Sequence, residues 1–117
     1  MPLPVQTDTV QLTAKQARLT AESFILDQIG DQVLAGEPWL IRSVLGSAWV
    51  TPMILTSSAY GPVGVVGALV VDETTGQVVA STPRDVLETK VAQLIEGHWS
   101  ELEAAFWQAV TRERQVA

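Results

Sequence analysis

From Ser43 to Val71 the chain carries no charged residue, and this run limits the possible folds more than any other feature. An uninterrupted apolar stretch of about 20 residues would suit a membrane-spanning helix. Here Pro52, Thr56, Ser57, Ser58, Gly61, Pro62 and Gly64 interrupt it. The two pieces that remain, each roughly 8 to 10 residues, suit strands buried on both faces of a sheet.

The flanking segments supply helices. Thr13 with Gln16 three residues on forms a capping-box pair. It opens a stripe of Ala14, Ala17, Ala21, Phe24, Ile25, Ile29 and Val33 at three-to-four spacing, so a first helix is expected, stopped at Ala35 by Gly36 and Pro38. Trp39–Leu45 and Ala48–Leu55 read as two strands joined at Gly46-Ser47. Pro52 inside the second strand donates no ladder hydrogen bond, which predicts an irregular or edge position. Val63–Val71 reads as a third strand, with Gly64 and Ala68 on one face beside Val66 and Val70. Asp72 to Gly76 is a hairpin loop, because Asp bonds its own downstream backbone and Gly supplies positive φ. It leads into a short fourth strand, Gln77–Ala80.

Thr82 before Pro83, with Asp85 following, marks another helix start. Leu87, Val91, Leu94, Ile95, Trp99, Leu102, Phe106 and Val110 then carry an apolar stripe to the end. Ser100 with Glu103 repeats the capping-box pattern, so this region is either one long bent helix or two helices broken at Gly97-His98. The resulting order, α-β-β-β-β-α, is an α+β domain over residues 13–117, with a single antiparallel sheet of three to four strands. Residues 1–12, lacking a basic segment and an apolar core, read as a disordered lead and not a signal peptide, so a cytoplasmic location is expected.

Composition narrows the function classes. The length of 117 residues suits one core. A net charge of -6 opposes binding to phosphate backbones, so no nucleic-acid partner is expected, and the interrupted apolar run argues against a membrane. Zero Cys removes disulfides, thiolate nucleophiles and Cys-based metal sites, and His98 is the single His.

Candidate sites are few. Gly61, Gly64 and Gly67 have the wrong spacing for a dinucleotide loop and lead into a strand, so they read as a bend or close backbone approach. His98 near Glu96 and Glu101 could place two ligands on one helical face, but one such pair does not make a metal site, and a surface or helix-junction role is expected. Asp72 and Glu73 are adjacent in a turn, where carboxylates point apart rather than converge. Ser57, Ser58, Ser81 and Ser100 sit in loop or cap contexts, so no Ser/His/Asp set assembles. No catalytic residue, cofactor or metal is therefore expected.

The four Trp residues are the remaining anomaly. Trp39 and Trp49 fall in the first hairpin, Trp99 and Trp107 in the terminal helix. Large aromatics fill cores and also anchor interfaces. One helix covers one face of a sheet, yet the central strands read as apolar on both, so the terminal helix or a second chain must cover the other. Trp39, Trp99, Phe106 and Trp107 are expected as contact residues of a non-enzymatic, homodimeric interaction domain. A small-ligand or enzymatic pocket between the sheet and the first helix is the alternative of a different class.

The run Gly64–Val86, an apolar strand closed by Val71-Asp72, then Thr74-Thr75-Gly76, a short Val-Val strand and a helix cap, resembles the end of PepSY-like and cystatin-like α+β domains. It is similar to bacterial immunity-protein families of that shape, which join a first helix, a Trp-bearing strand and a Val-Asp-x-x-Thr-Gly hairpin. The resemblance spans roughly residues 13–90. It implies an inhibitor that neutralises an enzyme, often a peptidase or toxin, through surface contacts. Pro52, the Gly-rich third strand and the long terminal helix depart from that pattern, and a fold carries no function by itself.

Overall fold

A computed structural model describes residues 11–116, with side chains to Glu113; most of the expected lead, residues 1–10, lies outside the described residues. The elements run α1 (Ala14–Gln28), β1 (Val33–Ala35), β2 (Trp39–Ser43), β3 (Gly46–Ser57), β4 (Gly61–Asp72), β5 (Val78–Ser81), α2 (Arg84–Gly97) and α3 (Trp99–Val116). The fold is α+β with an antiparallel sheet, as the sequence implies, and the sheet has five strands.

The capping box forms at the start of α1: Thr13 Oγ1 accepts from Gln16 N–H, and Gln16 Oε1 accepts from Thr13 N–H. The helix stops at Gln28, earlier than the expected Ala35, because Gly30 takes φ 146°. Val33–Ala35, whose spacing continues the helical stripe, is instead strand β1, paired with Met53–Leu55. Leu12 belongs to the body and not to the lead. Its N–H donates to Glu73 O at 2.9 Å, and its carbonyl accepts from Trp49 Nε1 at 2.9 Å.

β3 is the central strand. One edge pairs with β1 and β2 in succession, and the other with β4, which in turn pairs with β5. The β2–β3 hairpin turns at Val44-Leu45, since Ser43 pairs directly with Gly46; the expected joint lay two residues later. Pro52 is tolerated in this interior strand because it faces the break where β1 gives way to β2. Its carbonyl accepts from Gly36 N–H, and across it Ala68 turns its N–H and C=O toward Thr82 on the far side. No ladder bond is asked of the missing N–H.

A register shift between Met53 and Ile54 marks a bulge in the pairing with β4. It corrects the expectation that Gly64, Ala68, Val66 and Val70 share a face. Gly64 and Val66 lie beneath α2, where a Cβ on Gly64 would stand 3.0 Å from Leu94 Cδ2. Ala68 and Val70 pair with Pro52 and Val50 and so face the opposite way.

Both α1 and α2 lie on one face of the sheet. Ala21 and Ile25 of α1 and Leu87 of α2 join Met53, Leu55, Val66, Leu69 and Val71 in one buried cluster. Met53, Leu69 and Val71 are fully buried, each contributing about 1.5–3 kcal/mol of apolar transfer. Thr51 is buried there too, its hydroxyl without a partner among the described residues. Thr82, expected as the cap of α2, instead clamps β4: its Oγ1 accepts from Ala68 N–H at 2.9 Å, and Pro83 takes the N-cap position without a side-chain bond.

The Asp72–Gly76 loop follows its sequence chemistry. Asp72 Oδ1 accepts from Thr74 and Thr75 N–H, both at 2.8 Å. The N–H groups of Thr75 and Thr74 hold its carboxyl below the usual carboxylate range. Gly76 adopts φ 75°, and a Cβ there would stand 3.3 Å from Leu12 Cδ1. Gly76→Val should destabilise the protein by on the order of 1 kcal/mol or more, since a β-branched residue tolerates positive φ poorly. Urea unfolding of the variant checks this, and unchanged stability would reject the turn assignment.

Candidate functional site

The alternation of β3 sends Thr51, Met53 and Leu55 under the helices and Val50, Pro52 and Ile54 to the other face. Register extends that face across the sheet. Trp39, Val50, Val70 and Ala80 form one row over four strands, and Leu34, Ile54 and Val65 form a second. Ile41 continues it beside Ala48. The two rows and Ile41 contain no charged side chain, and neither α1 nor α2 covers them. Leu34, Trp39, Ile41 and Val65 stand about half exposed. At the end of β2 the turn residues Val44 and Leu45 are fully exposed, an apolar tip that sequence reading had absorbed into a strand.

The terminal segment breaks at His98, as one of the two sequence readings has it. The ring Nδ1 of His98 lies 2.8 Å from Leu94 O, and the ring meets Tyr60 of the β3–β4 turn edge to face at 6.3 Å. His98 is thus a junction residue, its Nδ1 engaged by a helix carbonyl. Beyond it α3 leaves the sheet at the β3–β4 turn and packs little against the rest of the described chain, mostly against α2 at the joint. The described molecule is accordingly 69 Å long but only 32 by 20 Å in its other dimensions.

Each contact residue expected from sequence is on the surface: Trp39 is 51% exposed, Trp99 59%, Phe106 54% and Trp107 56%. On α3, Phe106 and Trp107 meet edge to face at 5.3 Å, and Trp99 stands about two turns away at the start of the helix. Trp39 stands apart from them on the bare sheet face. Trp49, one of the same two-strand hairpin, points the other way and packs against the core.

The two covering helices leave a cleft of about 540 Å³ between them, within the usual range for small-molecule sites. Phe24 and Ile29 form one wall, Leu87, Val91 and Ile95 the other, over Val33 and Val66. Its charged members are paired at the mouth: Arg84 Nη1 donates to Gln28 O at 3.2 Å, and Arg84 Nε lies 3.6 Å from Glu88. The alternative pocket was expected between the sheet and the first helix; this cleft has α2 as its second wall. It offers apolar surface and no nucleophile beside a base.

The other sequence candidates are dispersed. Asp72 turns its carboxylate into its own loop, while Glu73 is buried, its carboxylate 3.6 Å from Arg42 Nη2. The burial of Glu73 had no sequence signal, since its backbone is held from distant parts of the chain, its carbonyl by Leu12 N–H and its N–H by Ser47 O. Gly64 and Gly67 bring β4 close under α2, and Gly61 takes φ 96° at the β3–β4 turn. Among the described residues no group of three or more His, Asp or Glu is placed to hold a metal, and no helix is long and apolar enough to cross a membrane. No protein-family model, curated protein or solved structure matches the chain.

Proposed function

We propose that the protein is a non-catalytic interaction domain that works as a homodimer, with α3 as the self-contact through Trp99, Phe106 and Trp107. The observation that carries this reading is an 18-residue helix whose aromatic side chains stand in solvent and whose own sheet does not hold it. Helices in proteins owe most of their stability to burying an amphipathic face. A second chain supplies that burial at little cost, because aromatic anchors are efficient interface residues.

The test is the solution mass by light scattering on a sizing column across a hundredfold dilution. A dilution-resistant mass of twice 12.6 kDa is expected; a monomer at every concentration would overturn the reading. The bare row Trp39-Val50-Val70-Ala80 favours a second reading, in which the sheet face docks on a partner enzyme as the resemblance to immunity proteins implies. The same experiment separates the two, since the second reading needs no self-association.

A further inference from the structure

Resting on the homodimer reading, we infer that α3 pairs antiparallel with α3 of a second copy, with Phe106 beside the two-fold axis. The seam is set by spacing. Trp99, Leu102, Phe106 and Ala109 follow one another at three and four residues, the a/d rhythm by which two helices interlock. Val110 widens the stripe beside Ala109.

Charge decides the direction. Glu101 and Glu103 lie in the first turns of α3, and the sequence places Arg112 and Arg114 around Glu113 in the last. A parallel pair would set the acidic ends together. The antiparallel pair sets each acidic end alongside a basic one and opposes the two helix dipoles. Centred between Phe106 and Ala109, it places Phe106 of one copy against Ala109 of the other and Leu102 against Glu113, and brings Glu103 level with Arg112. The helix, about 27 Å long at 1.5 Å per residue, is free to receive a partner along its length, since it leaves its own sheet at the β3–β4 turn.

The chain has no cysteine, so disulfide trapping reads the pairing directly. Leu102→Cys and Glu113→Cys are purified separately, mixed at equal concentration under reduction and then oxidised, the products being separated by intact mass. The mixed disulfide is expected to exceed either homodisulfide by about tenfold. Predominant homodisulfides would overturn the antiparallel arrangement. Absence of any disulfide, in variants that keep a dimer mass, would place the dimer contact elsewhere and overturn this inference alone. A wild-type chain that is monomeric throughout would overturn the homodimer reading as well. Where the seam cysteines themselves dissociate a dimeric wild type, Trp99→Cys with Val116→Cys repeats the test at the ends of the seam, with the same outcomes deciding.

Discussion

Phe106→Asp should convert the dimer into a monomer whose α1 and sheet still fold, raising the dissociation constant at least about 100-fold. Interface anchors of this kind are worth 2 kcal/mol or more on truncation. A carboxylate forced into the seam adds a desolvation cost that truncation to Ala lacks. The body should be indifferent to the change, since Phe106 is half exposed and outside the buried cluster. The helix itself should not be. An isolated helix of 18 residues is marginal in water, so the variant should lose part of its far-ultraviolet helical signal while the sheet melts as before. Trp107→Asp, one position off the seam, should weaken the dimer less. Sizing with light scattering and circular dichroism on the same samples check all three statements. A Phe106→Asp protein that keeps the dimer mass would move the contact away from α3, leaving the bare sheet face as the place to look.

What the sequence disclosed follows from the range over which each signal acts. The capping box at Thr13 and the Asp72 loop are decided within a few residues, and each forms where local chemistry puts it; at His98 local chemistry left a bend and a break both open, and α3 starts at Trp99, ahead of the expected Ser100 cap. The features that needed the rest of the chain were hidden. Val33 continues the spacing of α1, yet its fate is set by pairing with Leu55, far along the chain, once Gly30 has released the backbone. The bulge beside Val66 reverses the phase of β4, and a one-residue shift of register exchanges the faces of a strand. That shift alone puts Gly64 under α2 and Ala68 on the bare face. Trp39 and Trp49 show the same limit at the candidate site. Both are Trp in one hairpin, but opposite parity sends Trp49 to Leu12 O and Trp39 into solvent. Sequence could nominate all four Trp for core or contact; only register distributes them. The sequence alternative was a pocket between the sheet and the first helix, whereas the cleft lies between α1 and α2. That α2 forms its other wall depends on the close approach to Gly64 and Gly67.

Gly67→Val should cost about 3 kcal/mol or more, because this approach leaves no room for a side chain. A Cβ at Gly67 would stand 2.6 Å from Thr82 Oγ1 and 2.8 Å from Leu87 Cδ2. Neither neighbour yields easily. Thr82 is fixed to Ala68 by its N–H at 3.0 Å and by its hydroxyl, which receives one bond and donates another. Leu87 is part of the buried cluster. The strain must therefore lift the start of α2 off the sheet, opening the cleft wall and separating Leu87 from Val66. Gly97→Ala is the control, since a Cβ there meets nothing within 4 Å; Ala being the better helix former, that change should be neutral or stabilising by up to about 1 kcal/mol. Coupling supplies the sharper measurement. Gly67→Ala combined with Leu87→Ala should be less destabilising than the sum of the two single changes, because the truncated Leu vacates the space that the new methyl needs. Urea unfolding of the four proteins measures that coupling, and strict additivity would mean that α2 is not seated over Gly67.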